Sequence, residues 1–124
     1  MVTSMMTSQQ MAETIVGVLA NKIGSDIRLL KIDTVSVLAD YFVICTAKST
    51  TQIKTLTDEV EAVLEEKGER VLHREGYRAG GWVLLDYGCV VVHVFMEETR
   101  QFYDLERLWA DATDIDVTEL VGKR

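Results

Sequence analysis

The chain has no proline, only two cysteines and two histidines, and thirteen basic residues against twenty acidic ones in 124. Each scarcity removes a class of protein. With no proline, no repeat and no low-complexity stretch, nothing marks a linker. The chain therefore reads as one domain, long enough to bury roughly 65–70% of the surface its unfolded form exposes. Cys45 and Cys89 lie in no paired motif; they are too few for a disulfide scaffold and fit a reducing cytoplasm. No apolar run approaches the ~18 residues that span a bilayer, so no membrane is expected as partner. The start, MVTSMMTSQQM, has no positive charge ahead of an apolar block and no arginine, unlike a secretory or organellar leader. Residues 1–6 read as a loose tail.

The shortage of bases is uneven. Between Glu97 and Glu119 stand eight acids against Arg100 and Arg107, and that segment alone carries −6 of the net −7. An acidic chain lacks the Lys/Arg counterion release that drives nucleic-acid binding. A basic protein partner is the easier match, and an acidic end that serves only solubility is an equal alternative.

What is present is ordered amphipathic pattern. Met11, Ile15, Val18, Leu19 and Ile23 predict a helix from Ser8 to Ile23, with a capping box from Thr7 to Gln10 and a stop at Gly24. Strands follow at Ile27–Asp33 and Tyr41–Thr46, the second (YFVICT) apolar on both faces and so central. Ser49 and Gln52 open a second helix whose stripe is Ile53, Leu56, Val60, Val63 and Leu64, ending at Gly68. A third strand, Arg70–Arg74, leads through EGYRAGG to two more strands. A helix from Thr99 to Trp109 would then bury Phe102, Leu105, Leu108 and Trp109. The expected order is αββαβββα: one α+β domain spanning residues 7–110, with three helices on a mixed sheet of about five strands. Residues 111–124, with weak periodicity, read as an acidic peripheral tail.

The stretch GGWVLLDYGCVVVHVF, residues 80–95, is the unusual one. A two-residue loop at Tyr87-Gly88 would pair Asp86 with Cys89, Leu84 with Val91 and Trp82 with His93. Alternation then puts Val83, Leu85, Val90, Val92 and Val94 on one face. Trp82, Leu84, Asp86, Cys89, Val91, His93 and Phe95 fall on the other. If all three helices cover the aliphatic face, the mixed one stays open, with the composition of an interface hot spot. Trp82 as a core residue and Asp86 as a turn former before Gly88 are the competing reading.

Catalytic signatures are missing. Cys89 and His93 share that face, but four residues of strand separate them by ~13 Å, too far to chelate zinc unaided. Asp114-Ile115-Asp116 has no phosphate-binding loop beside it. No triad, Walker sequence or GxGxxG is present, so no enzyme activity, cofactor or metal is expected.

The combination of WVLLDYG-VVVHVF (Trp82 to Phe95), RQFYDLERLW (Arg100 to Trp109) and ADYFVI (Ala39 to Ile44) resembles the Iojap family of ribosomal silencing factors, RsfS, over about residues 8–110. The resemblance implies a nucleotidyltransferase-like shape without the catalytic carboxylates, leaving a degenerate nucleotidyltransferase-like enzyme as the alternative. It implies a cytoplasmic protein that binds the large ribosomal subunit through ribosomal protein fourteen, at the face where the small subunit docks. Subunit joining is thereby blocked and translation repressed. It also implies homodimers off the ribosome.

On that reading the partner-binding residues are Trp82, Leu84, Asp86, Tyr87, Cys89, Val91, His93 and Phe95. Trp82, Leu84 and Phe95 would be the anchors, and Asp86 would face a basic group. His93 would either brace Trp82 or be a packed structural histidine. Where family members usually carry aspartate after DYG, this chain has Cys89.

Overall fold

Thr7 opens the first helix, α1 (Ser8–Asn21). Its hydroxyl accepts from the Gln10 N–H while the Gln10 side chain accepts from the Thr7 N–H, the reciprocal cap that the spacing anticipates. The computed structural model describes residues 6–78 and 81–122. Of the expected N-terminal tail only Met6 falls among them, packed against the core. After α1 come β1 (Ser25–Lys31), β2 (Tyr41–Ala47), α2 (Thr50–Glu66), β3 (His73–Glu75), β4 (Trp82–Asp86) and β5 (Val90–Met96). The chain then runs through α3 (Glu97–Tyr103), α4 (Leu105–Leu108), β6 (Thr113–Ile115) and α5 (Thr118–Gly122).

The fold is the expected single α+β domain on a mixed sheet, with strand order β3-β4-β5-β2-β1-β6. β2 and β5 pair in parallel at the centre and every other pair is antiparallel. All seven residues of β2 are buried, as a strand apolar on both faces requires. α1 and α2 cover one face. Their stripes, including Ile15, Leu19, Ile53, Leu56 and Leu64, close over Val83, Leu85, Val90, Val92 and Val94.

Besides α5, a helix in the expected peripheral tail whose Leu120 and Val121 pack against the core, four features depart from expectation. The sheet has six strands, because Thr113–Ile115 pairs with β1 and Arg28 of β1 hydrogen-bonds Asp114. Two of those three residues are exposed, so no apolar alternation announces the strand. Ile23, at φ 66, is the left-handed residue beyond the end of α1, ahead of Gly24. The third strand begins at His73, not Arg70.

The fourth departure matters most for function. The helix expected over Thr99–Trp109 breaks at Asp104, whose φ of 47 separates α3 from α4. The broken segment crosses the second face of the sheet instead of joining α1 and α2. There Leu105, Trp109 and Ala112 pack on a second core of Leu30, Ile32, Ala39, Phe42, Ile44 and Phe95.

One glycine in the β3–β4 connection is required by contact. Gly76 has φ 83, and a Cβ on it would lie 2.0 Å from the Trp82 carbonyl oxygen. Gly76→Ala is therefore expected to cost at least ~1–3 kcal/mol, as strain at positive φ compounded by a backbone clash. A urea midpoint measures it; an unchanged midpoint would contradict this close approach.

Candidate partner-docking face

The β4–β5 hairpin turns at Gly88-Cys89, one residue later than expected. The Tyr87 N–H donates to the Val90 carbonyl at 2.9 Å, Gly88 takes φ 88, and the Asp86 carboxylate accepts from the Gly88 N–H at 2.7 Å. Asp86 is thus a turn former, whatever else it meets. Pairing shifts by two residues: Asp86 opposite Val91, Leu84 opposite His93 and Trp82 opposite Phe95. A shift of two preserves side-chain parity, so the strand faces survive the error.

The turn residues do not follow. Tyr87 is buried in the helix-side core. Cys89 leans to the same side, its thiol 4.0 Å from the Met11 sulfur. Neither belongs to the mixed face.

The mixed face is less open than expected. Because α3 and α4 cross it, His93 is 4% exposed and Phe95 fully buried. Phe95 is thus a core residue and cannot be a surface anchor. Trp82, Leu84, Asp86 and Val91 remain half-buried. Their neighbours form a continuous aromatic ladder. Phe95 stacks on Trp82 (4.8 Å), Trp82 meets Tyr103 (4.8 Å), and Tyr103 meets Phe102 edge-on (5.1 Å). On the other flank Phe42 packs edge-on against both His93 (4.8 Å) and Trp109 (5.3 Å).

The ladder runs from the core to solvent: Tyr103 is 52% exposed, Phe102 80%, and Leu108 of α4 76%. Phe102 and Leu108 were expected in a buried stripe. The 3.6-residue period does not carry through the break at Asp104, so both turn outward. The available signal was crowding: RQFYDLERLW holds five large apolar residues in ten, more than one helical stripe accommodates.

His93 does brace Trp82. The indole Nε1–H donates to His93 Nδ1 at 3.2 Å, which leaves the imidazole proton on Nε2, where no hydrogen-bond partner stands among the described residues. Burial pushes its pKa down from 6.5 to about 4. A histidine buried neutral stabilises the fold fully above the unfolded pKa, and that contribution is lost as pH falls through the folded one. Between pH 6.5 and 4, about 3 kcal/mol should therefore disappear. Thermal melts of the wild type and of His93→Leu across this window test it; parallel pH dependence in the two would refute the assignment.

A buried cation ties the crossing segment down. Arg100 is 6% exposed. Its Nε and Nη2 donate to Glu106 (3.1 and 2.6 Å), and Nη1 donates to the Asp26 carbonyl and the Thr46 hydroxyl, both at 2.7 Å. Burial raises the pKa of the Glu106 carboxyl, but the hydrogen bonds and charge of Arg100 outweigh it and the net shift is downward. α3, α4, β1 and β2 are thus tied at one guanidinium.

No group of three His, Cys, Asp or Glu side chains among the described residues is arranged to hold a metal ion. Burial drives the Cys45 thiol up to about 12, which suppresses the thiolate. No helix of the described residues is long and apolar enough to cross a membrane.

Fold and face together define an α+β domain whose second sheet face carries an aromatic cluster that reaches solvent at Phe102 and Tyr103. The chain belongs to the family described as "Ribosomal silencing factor during starvation", RsfS, whose model matches residues 5–124. It is 34% identical over 117 residues to the ribosomal silencing factor RsfS of Halalkalibacterium halodurans, spanning 94% of this chain and all of that one. It is 40% identical over 97 residues to the RsfS of Bacillus subtilis, spanning 78% and 82%. A crystal structure of a Chromobacterium violaceum protein superimposes with a TM-score of 0.82 at 34% identity, covering 85% of this chain and 88% of that one.

Proposed function

We propose that this protein represses translation in the cytoplasm by binding the large ribosomal subunit through ribosomal protein fourteen and physically excluding the small subunit. The observation that carries this reading is the outward end of the aromatic ladder. Tyr103 stands exposed against half-buried Trp82 and carries exposed Phe102 on its edge, and Leu108 of the same crossing segment is exposed as well, in a member of a silencing-factor family.

Aromatic side chains fixed from beneath offer large contact area at little further entropic cost, the make-up of an interface hot spot. Docking residues on this reading are Trp82, Leu84, Asp86, Val91, Phe102, Tyr103 and Leu108. The acids of the segment from Glu97 to Glu119 complement a basic protein and steer its approach. The action is steric: the body occupies space the small subunit needs, without turnover.

Capture of separated ribosomal subunits on the immobilised protein at moderate salt tests the partner. Large subunits should be retained and small subunits should wash through; equal retention of both, or of neither, would contradict it.

A further inference from the structure

β2 and β5 run parallel, and at their carboxyl ends lies a cavity of about 430 Å3 outside the docking face. In open α/β sheets that is the end at which ligands bind. Thr46 of β2, Glu97 just past β5, Asp26 and Arg28 of β1, and Arg100 and Asp104 of the crossing segment line it. Asp26 and Asp104 both have φ 47, a left-handed backbone that costs energy in a residue with a Cβ and recurs at ligand sites.

A buried donor in the wall is incompletely used. Arg100, 6% exposed, has five N–H groups. Four make hydrogen bonds: two to Glu106, one to the Asp26 carbonyl and one to the Thr46 hydroxyl. The fifth, on Nη2, faces the Asp26 carboxylate at 3.6 Å, beyond hydrogen-bond range, and both residues line the cavity. Arg28 adds further donors, since among the described residues its guanidinium hydrogen-bonds Asp114 alone. Uncommitted acceptors share the same wall. The Asp104 carboxylate has no hydrogen bond or ion pair among the described residues, and that of Glu97 accepts only from Gln101, at 3.3 Å.

Spare guanidinium donors and spare carboxylates in one cavity suit a molecule that carries both charges. An α-amino acid holds a carboxylate and an ammonium on a single carbon. Four carboxylates in the wall, Asp26, Glu97, Asp104 and Glu106, against the two guanidiniums leave it negative, which favours a cationic side chain as well. We propose that this cavity binds a free basic amino acid. Arg28 and the fifth N–H of Arg100 receive its carboxylate, and Asp26, Glu97 and Asp104 receive its cationic groups, through charge-assisted hydrogen bonds. The site does not depend on the proposed ribosomal function.

The probe is free L-arginine, titrated into isotope-labelled full-length protein at constant ionic strength. Arginine blocked at its α-amino and α-carboxyl groups, and L-citrulline with its uncharged side chain, are the controls. Arginine should produce saturable amide shifts centred on residues 25–28, 46 and 97–106. Blocked arginine should produce none there, and citrulline should bind more weakly. Asp104→Asn keeps the shape and tolerates the left-handed backbone. It should melt with the wild type yet bind arginine roughly tenfold more weakly. Glu97→Gln, which removes a charge from an exposed side chain, should weaken binding too. The proposal is overturned by no localised response to arginine, by a response to either control equal to that of arginine, or by unchanged affinity in either variant.

Discussion

Replacing Phe102 and Leu108 together with alanine should weaken binding to the large subunit by roughly 30- to 1,000-fold, the range that follows from losing ~2–4 kcal/mol at a hot spot. The fold should be untouched. At 80% and 76% exposure these side chains bury little surface that unfolding would return to water, and surface truncations of this kind stay within ~0.5 kcal/mol in stability. Trp82→Ala is less informative. It removes the stacking with Phe95 and the ring contact with Tyr103 and leaves His93 Nδ1 without its donor, so stability and binding fall together. Calorimetric titration of large subunits beside a thermal melt separates the cases; normal binding by the double variant would move the docking surface elsewhere.

Arg100→Met should destabilise the domain by ~3–5 kcal/mol, the usual loss when one partner of a buried ion pair is removed. The guanidinium satisfies Glu106, the Asp26 carbonyl and the Thr46 hydroxyl at once. Without it, the one cation left near Glu106 among the described residues is Arg28, at 3.9 Å. Arg100→Lys retains the charge but not the planar fork, and should recover only part of the loss. Because Arg100 anchors the segment that carries Phe102, Tyr103 and Leu108, subunit binding should fall with stability. Urea unfolding gives the stability directly, and a loss below ~1 kcal/mol would show that the crossing segment is held by other means.

Much of this architecture was readable because it is local. The Thr7–Gln10 cap, the α2 stripe and the two-faced YFVICT strand each declare themselves within a few residues. The hairpin faces were readable despite a misplaced turn, since a two-residue register error preserves parity. The burial of His93 and Phe95 was not readable. It depends on a segment that leaves the end of β5, breaks at Asp104 and packs back over the sheet, and no alternation within β5 reports what lies above it. The same break turned Phe102 and Leu108 outward, against a periodicity that assumed one helix. The pairing of β6 with β1 rests on three residues distant in sequence from their partner. Tyr87 and Cys89 were misplaced because turn residues do not obey the strand alternation used to sort them.

Subunit joining measured on sucrose gradients tests the central claim most directly. Added to separated large and small subunits, the protein should reduce the joined fraction in proportion to its concentration. Excess small subunits should restore joining, and particles joined beforehand should resist, because two bodies competing for one volume need no further mechanism. If the protein instead sediments with large subunits while joining proceeds undiminished, steric exclusion is wrong.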